Sequence, residues 1–373
     1  MSARILFAAG GTGGHVYPAL AVADAVRGLL PTARVEFAGG RRGIEGRLVP
    51  QAGYRLHRYP AAGLRGGGLW GWFRFSSRFA VAIFAAALLI LRLRPHVVLA
   101  TGGYASAAPA MAAAMLGRPL WLQEQNSVPG STNRFLSRFA ERAYCAFAEA
   151  KDSLRRASRV EELPNPVRAS LYGLAETGLD AAAYAKFGLL PERRTLLVFG
   201  GSRGAATLSR AVVDGWPALA ATGDWQLLAQ VAEYDLEKTR AAVKNAEAPA
   251  HVCPFIDDMA AAYTVADLIV CRAGALTLAE LATVGRPSIL VPFPHATDDH
   301  QTSNARAFER AGAAVVIADE QFDGLALSAA VTRLGDHPDE LRAMATAATR
   351  LAGGSRPAET IARALLQRSG MAL

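Results

Sequence analysis

Short, uninterrupted apolar runs punctuate this chain, each followed by a longer stretch of mixed polarity. In the first half they are RILFAA (4–9), VEFAG (35–39), HVVLA (96–100), PLWLQ (119–123) and RAYCAF (142–147). In the second half they are TLLVFG (195–200), WQLLAQV (225–231), HVCPF (251–255), DLIVC (267–271), PSILV (287–291) and AAVVI (313–317). A strand with one wet face alternates between polar and apolar residues. These runs do not alternate, so both faces must be covered. Strand-length runs separated by helix-length segments predict parallel sheets flanked by helices. The pattern occurs twice, which predicts an α/β chain of two Rossmann-like, doubly wound domains. The break is expected near LPNPVR (163–168), where two prolines suit neither a helix interior nor a central strand. The expected division is therefore 1–163 and 164–354. The amphipathic stretch 355–373 is placed with the first domain, although its pattern would suit either.

One segment departs from this rhythm. Phe79 to Leu91 carries no charge over 13 residues, fewer than the ~20 that span a bilayer. It reads as a helix buried against a sheet. Its lead-in interleaves Trp70, Trp72, Phe73 and Phe75 with Arg65, Arg74 and Arg78, as segments lying in a membrane interface do. Both readings hold together if the apolar run is buried and the aromatic lead-in is exposed.

Composition narrows the class. Of 373 residues, 51% are hydrophobic and 19% charged, which is a globular balance rather than a disordered one. The net charge of +8 favours anionic partners: nucleic acid, nucleotide phosphates or an acidic membrane surface. Cys145, Cys253 and Cys271 stand far apart, so neither a disulfide framework nor a zinc site is expected. The first apolar run is cut short by glycines and is too short for a signal peptide, which predicts a cytoplasmic chain.

Three glycine loops follow predicted strands: GGTGGH (10–15), TGGYAS (101–106) and GGSRGA (200–205). In open parallel sheets, ligands bind beyond the carboxyl ends of the strands. Glycine lets backbone approach a ligand, and a following helix offers its first amides to an anion. One such loop could be only a tight turn. Three of them able to converge on one cleft between domains point to a ligand. The dinucleotide fingerprint is not met, because Val16 stands where the third glycine or alanine belongs. A phosphate P-loop fails as well, since no G-K-[ST] occurs.

The second half is denser in polar groups. In FIDDMAAAY (255–263), Asp257 and Asp258 could cap a helix. In CRAGALTLAE (271–280), Glu280 could accept both hydroxyls of a ribose, or could simply favour the positive end of a helix dipole. His295, Asp298, Asp299 and His300 look metal-like, but they lie in a proline-bounded loop without one-turn helical spacing. No metal is expected.

GGTGGHVYPALA, TGGYAS, LQEQNSVPGSTN, PNPVR, FGGSRGA, FIDDMAAAY, CRAGALTLAE and HQTSNA occur in that order along nearly the whole chain. Together they resemble the MurG family of bacterial peptidoglycan glycosyltransferases. The resemblance implies a GT-B fold, two Rossmann-like domains facing a central cleft. It implies transfer of N-acetylglucosamine from UDP-N-acetylglucosamine to undecaprenyl-diphosphate-linked N-acetylmuramoyl pentapeptide (lipid I), giving lipid II with inversion at the anomeric carbon. No cofactor and no nucleic acid are implied. The lipid acceptor implies a peripheral enzyme at the cytoplasmic face of the plasma membrane, held by anionic headgroups.

The same resemblance assigns residues. The backbone of Ile256 would pair with uracil and Glu280 would hold the ribose. Ala275, Leu276, Thr277 and Leu278 would offer amides to the phosphates, with Ala279 beside them and Ser202 and Arg168 close by. Gln301 and Asn126 would reach sugar hydroxyls. Thr12, Gly13 and Gly14 would face the reacting centre and either the donor or the acceptor diphosphate, and are placed with the donor-binding residues. Gly102, Gly103 and Tyr104 fall to the acceptor side, and Trp70, Trp72 and Phe73 to the membrane. His15 is the expected base, unless it only caps its helix, and Glu124 is the second choice. The sequence departs from familiar members at Pro164, Arg203 and Ala273. The rival readings are another GT-B enzyme on UDP-sugars (a glycolipid synthase or UDP-N-acetylglucosamine 2-epimerase), an NAD-dependent oxidoreductase, and a nucleotide-sugar sensor.

Overall fold

The structure is a computed structural model. It describes residues 2–41, 43–59, 69–174, 180–201, 205–244, 246, 248–296 and 299–371, with side chains from residue 76 onward in the helix that begins at Leu69. The chain divides into two compact units, Met1–Ala169 with Ser355–Leu373, and Ser170–Gly354.

The first unit is built on strands β1 (Arg4–Ala8), β2 (Arg34–Gly40), β3 (Arg55–Tyr59), β4 (Val97–Ala100), β5 (Leu120–Glu124), β6 (Arg142–Cys145) and β7 (Val160–Glu162). All are parallel, in the order β3-β2-β1-β4-β5-β6-β7. Side chains of β1 alternate between two cores. Ile5 and Phe7 join Val16 and Val26 on one face, while Leu6 and Ala8 meet Ala82, Ala86 and Ile90 on the other. That is why the run is apolar throughout. β3 and β7 escape a hydrophobicity reading because they are short, charged edge strands, RLHRY and VEE.

The last helix, Pro357–Arg368, lays Ile361, Leu365 and Leu366 into the core shared with Ile5 and Phe7. The change of unit falls after Ala169 and not at residue 163. Asn165 explains the shift: its Oδ1 accepts from Gln123 Nε2 (2.9 Å) and its Nδ2 donates to the Gln125 carbonyl (2.9 Å). These bonds tie PNPVR to the end of β5.

The Leu69–Leu93 helix differs from the buried helix expected over 79–91. Ala82, Ala86 and Ile90 are buried, whereas Val81, Phe84, Leu88 and Leu91 are each more than half exposed. Small alanines let one face sit close to the sheet, and the larger apolar side chains point away. Ser76–Leu93 has a mean hydropathy of 1.8, long and apolar enough to cross a membrane on length and composition.

The second unit repeats the plan with β8 (Arg194–Phe199), β9 (Trp225–Gln230), β10 (Ala250–Cys253), β11 (Leu268–Cys271), β12 (Ser288–Leu290) and β13 (Ala314–Val316). Its order is β10-β9-β8-β11-β12-β13, again all parallel. In both sheets the order reverses beside the first strand, between β1 and β4 and between β8 and β11. A crevice opens at such a reversal, because successive helices diverge to opposite faces.

Candidate active site

Each reversal is flanked by two glycine loops. GGTGGH leaves β1 and TGGYAS leaves β4. The loop beginning at Gly200 leaves β8, and CRAGA leaves β11.

In the first unit, Thr12 stands at the N-cap of the Gly13–Leu29 helix in extended conformation, yet its side chain makes no cap hydrogen bond. Its Oγ1 lies 2.9 Å from His15 Nδ1 instead. The His15 and Val16 amides donate to the Thr12 carbonyl (3.2 and 3.3 Å), which leaves the Gly13 and Gly14 amides for an anion. The His15 ring packs on the Gly102–Gly103 turn, where both residues have positive φ. A Cβ on Gly103 would fall 3.2 Å from His15 Nδ1 and 2.4 Å from the Gly10 carbonyl oxygen, so no larger residue fits. Thr101 Oγ1 donates to the His15 carbonyl (2.7 Å) and fixes the backbone. Burial pushes the imidazole pKa down to about 4. The ring is therefore neutral at pH 7 and carries one bare nitrogen.

Glu124, at the end of β5, is fixed on all sides. Oε1 accepts from the Asn126 backbone N–H (3.0 Å) and Nδ2 (3.2 Å), and Oε2 from the Gly130 N–H (3.2 Å) and Asn133 Nδ2 (2.9 Å). Burial raises its pKa, and these four donors oppose the rise. With its lone pairs occupied, the carboxylate holds the 126–133 loop and presents Asn126. Arg168 belongs to this unit and lies over the Tyr17 ring, 5.1 Å from its centroid. Tyr104 is 42% exposed, and its ring packs so close to Gly11 that a Cβ there would lie 3.1 Å from Cε1.

Sequence reasoning passed over Glu45. It is fully buried and accepts from the Gly11 N–H (3.0 Å) and the Gly40 N–H (2.8 Å). A Cβ on Gly10, Gly39 or Gly43 would collide with this side chain, which accounts for all three glycines. The Gly11 amide is thus engaged inside the fold.

In the second unit, Glu280 lies in the Ala275–Val284 helix, 7% exposed, and its Oε2 accepts from the Tyr263 hydroxyl (2.8 Å). Gly274 starts the helix without a side chain to cap it. The Leu278 N–H donates to the Gly274 carbonyl (3.0 Å), so it is not open to a phosphate as the family resemblance implied. Ala279 sits one residue deeper, where amides pair along the helix. Leu276 and Thr277 remain in the first turn. The Ile256 N–H donates to Gln230 Oε1 (3.3 Å), while Gln230 Nε2 donates to the Gly201 carbonyl (2.9 Å). Gln230 therefore ties the loop at β8 to the loop after β10. Gln301 Oε1 accepts from the Phe293 N–H (3.0 Å). Arg272 pairs with Asp319 and donates to the carbonyls of Val291 and Pro292 (3.1 Å each), fixing the loops that leave β11 and β12. Ser202, Arg203 and Asp298 lie outside the described residues, as do the side chains of Trp70, Trp72 and Phe73. Among the described residues no cluster of three metal-ligating side chains occurs.

Two parallel sheets with glycine loops at both strand-order reversals define a doubly wound α/β protein with a ligand crevice at each switch point, and the comparisons specify the family. Residues 5–145 match the glycosyltransferase family 28 N-terminal domain and residues 195–365 its C-terminal domain. A protein of Acidithiobacillus ferrooxidans named UDP-N-acetylglucosamine–N-acetylmuramyl-(pentapeptide) pyrophosphoryl-undecaprenol N-acetylglucosamine transferase is 44% identical over 373 residues, 99% of each chain. The crystal structure of Acinetobacter baumannii MurG superposes with a TM-score of 0.72 at 30% identity, covering 98% of this chain and 100% of that one. The structure of a Listeria monocytogenes protein described as a putative UDP-N-acetylglucosamine 2-epimerase gives 0.70 at 13% identity, covering 98% and 96%, a likeness of fold alone. The chain belongs to the MurG group of glycosyltransferase family 28, and its fold is GT-B.

Proposed function

We propose that this chain transfers N-acetylglucosamine from UDP-N-acetylglucosamine to the muramoyl C4 hydroxyl of lipid I, releasing UDP and inverting the anomeric centre. Full-length membership of the family, with both domains matched, is the observation that carries this reading.

The chemistry assigns roles to each unit. The acceptor oxygen attacks the anomeric carbon as the bond from that carbon to the UDP oxygen breaks. The hydroxyl proton passes to His15 Nε2, and the bonding electrons leave with UDP. For Nε2 to be bare, the ring proton must sit on Nδ1 and donate to Thr12 Oγ1, which the 2.9 Å separation permits. Glu124 is saturated with donors, so it acts as the clasp of the Asn126 loop and His15 as the base. In the second unit, Glu280 takes the ribose hydroxyls, the Ile256 carbonyl accepts from the uracil N3–H while its own N–H is held by Gln230, and the Leu276–Thr277 amides take the diphosphate. Donors aimed at a leaving diphosphate contribute on the order of 3 kcal/mol each to lowering the barrier. Gln301, held through Oε1, is left to donate from Nε2 to the transferred sugar. Gly102, Gly103 and Tyr104 shape the acceptor side around His15.

The acceptor's lipid tail requires work at a membrane surface. The exposed stripe Val81, Phe84, Leu88 and Leu91 fits shallow insertion into an anionic leaflet on the cytoplasmic side. A spanning helix is disfavoured, since the opposite face is packed into the core of the unit.

Release of UDP, followed in a coupled assay with a short-chain lipid I analogue, tests the reaction. UDP should appear only when donor and acceptor are both present. UDP production at the same rate without acceptor would contradict the proposal.

A further inference from the structure

Tyr263 is completely buried, and three contacts set its position. Its carbonyl accepts from Arg286 Nε (3.0 Å), with Arg286 Nη2 also donating to the Thr264 carbonyl (3.1 Å). Its ring meets Phe199, the last residue of β8, edge-on with centroids 6.2 Å apart. Its hydroxyl donates to Glu280 Oε2 (2.8 Å). Arg286 thus anchors the end of the Met259–Val265 helix, Phe199 fixes the plane of the ring, and the hydroxyl reaches the next helix.

A glutamate has three side-chain torsions, and immobilising such a side chain costs conformational entropy. A carboxylate meant to accept two neighbouring hydroxyls must be held before the ligand arrives, or that entropy is lost on binding. A phenol held on three sides is a suitable holder, because it has no long chain of its own to order. The bond to an ionised acceptor is also stronger than one between neutral groups. Cys271, buried beside the pair, has its thiol pushed far up by burial and by the Glu280 charge, so it stays neutral.

We propose that Tyr263 is a positioning residue for ribose recognition. By holding Glu280 Oε2, it sets the carboxylate so that both ribose hydroxyls are read, and it thereby sharpens discrimination against donors lacking them. The inference rests on Glu280 being the ribose partner.

Tyr263→Phe keeps the ring and its packing and removes only the hydroxyl. Binding of UDP and of 2′,3′-dideoxy-UDP to the full chain is measured by calorimetry, for the natural chain, Tyr263→Phe and Glu280→Gln. Tyr263→Phe should weaken UDP about tenfold, within the range of a lost hydrogen bond to a charged group, and leave dideoxy-UDP unchanged. Its kcat at saturating donor should stay within about twofold while the donor KM rises. Equal weakening of both ligands would mean a merely structural role and would overturn the proposal. So would an unchanged ratio in Tyr263→Phe alongside a collapsed ratio in Glu280→Gln. If Glu280→Gln itself left the ratio intact, the ribose assignment would fall first.

Discussion

Thr12 Oγ1 lies 2.9 Å from His15 Nδ1, and the threonine side chain makes no cap hydrogen bond to the helix it begins. An N-cap threonine ordinarily bonds an amide of the first helical turn. Here the hydroxyl orients an imidazole instead. His15→Ala should lower kcat by roughly 10²- to 10⁴-fold, the usual contribution of a positioned base. Thr12→Val should give a smaller fall by freeing the tautomer. UDP affinity, measured by calorimetry, should not change in either variant. Near-normal turnover in His15→Ala with weakened UDP would make the histidine a loop support.

The depressed pKa of His15 has a consequence for stability. Between the folded value of about 4 and the ordinary value of 6.5, the unfolded chain binds a proton that the folded chain does not. Stability contributed by this residue therefore rises with pH across that window and is lost as pH falls through it. The shift corresponds to at most about 3–4 kcal/mol. Urea denaturation from pH 4 to 6.5 should show the natural chain gaining on His15→Gln as pH rises. A constant difference between the two would refute the shifted pKa.

Glu124 distinguishes a clasp from a base. Glu124→Gln presents an NH2 group where Asn126, Asn133 or Gly130 already donates, so the loop should lose order. We expect about 1–3 kcal/mol of lost stability together with a raised KM for the sugar substrates and substantial residual kcat. A variant of normal stability with kcat abolished would return the base role to Glu124.

The exposed stripe of the Leu69–Leu93 helix makes a separate prediction. Phe84→Ser with Leu88→Ser should reduce co-sedimentation with phosphatidylglycerol vesicles about tenfold or more, given ~0.8 kcal/mol per buried methylene. Thermal stability should barely change, because both residues are more than half exposed. Undiminished vesicle binding would place the membrane contact elsewhere, with Trp70, Trp72 and Phe73 next to be replaced.

What was legible in the sequence follows from what kind of signal each feature leaves. Strands such as RILFAA and TLLVFG are covered on both faces, and unbroken hydrophobicity marks them. β3 and β7 carry the charges of sheet edges and leave no such mark. The glycine loops were readable as ligand-facing, yet their division of labour was not. Gly10 is glycine because Glu45, 35 residues later, fills the space where a Cβ would stand. Gln230, Tyr263 and Arg272 act by the direction of a side chain across loops distant in sequence, and no local spacing encodes that. The Phe79–Leu91 run read as buried because hydrophobicity counts both faces of a helix alike. Only packing separates Ala82, Ala86 and Ile90 from Val81, Phe84 and Leu88.

The central claim is inverting transfer of N-acetylglucosamine to lipid I, and the product itself tests it. The chain is incubated with UDP-N-acetylglucosamine and a short-chain lipid I analogue, and the isolated product is examined by proton NMR. The account predicts a disaccharide with the new sugar β-linked at muramoyl C4. An α-linkage, attachment at another position, or free epimerised sugar nucleotide with the acceptor untouched would contradict it.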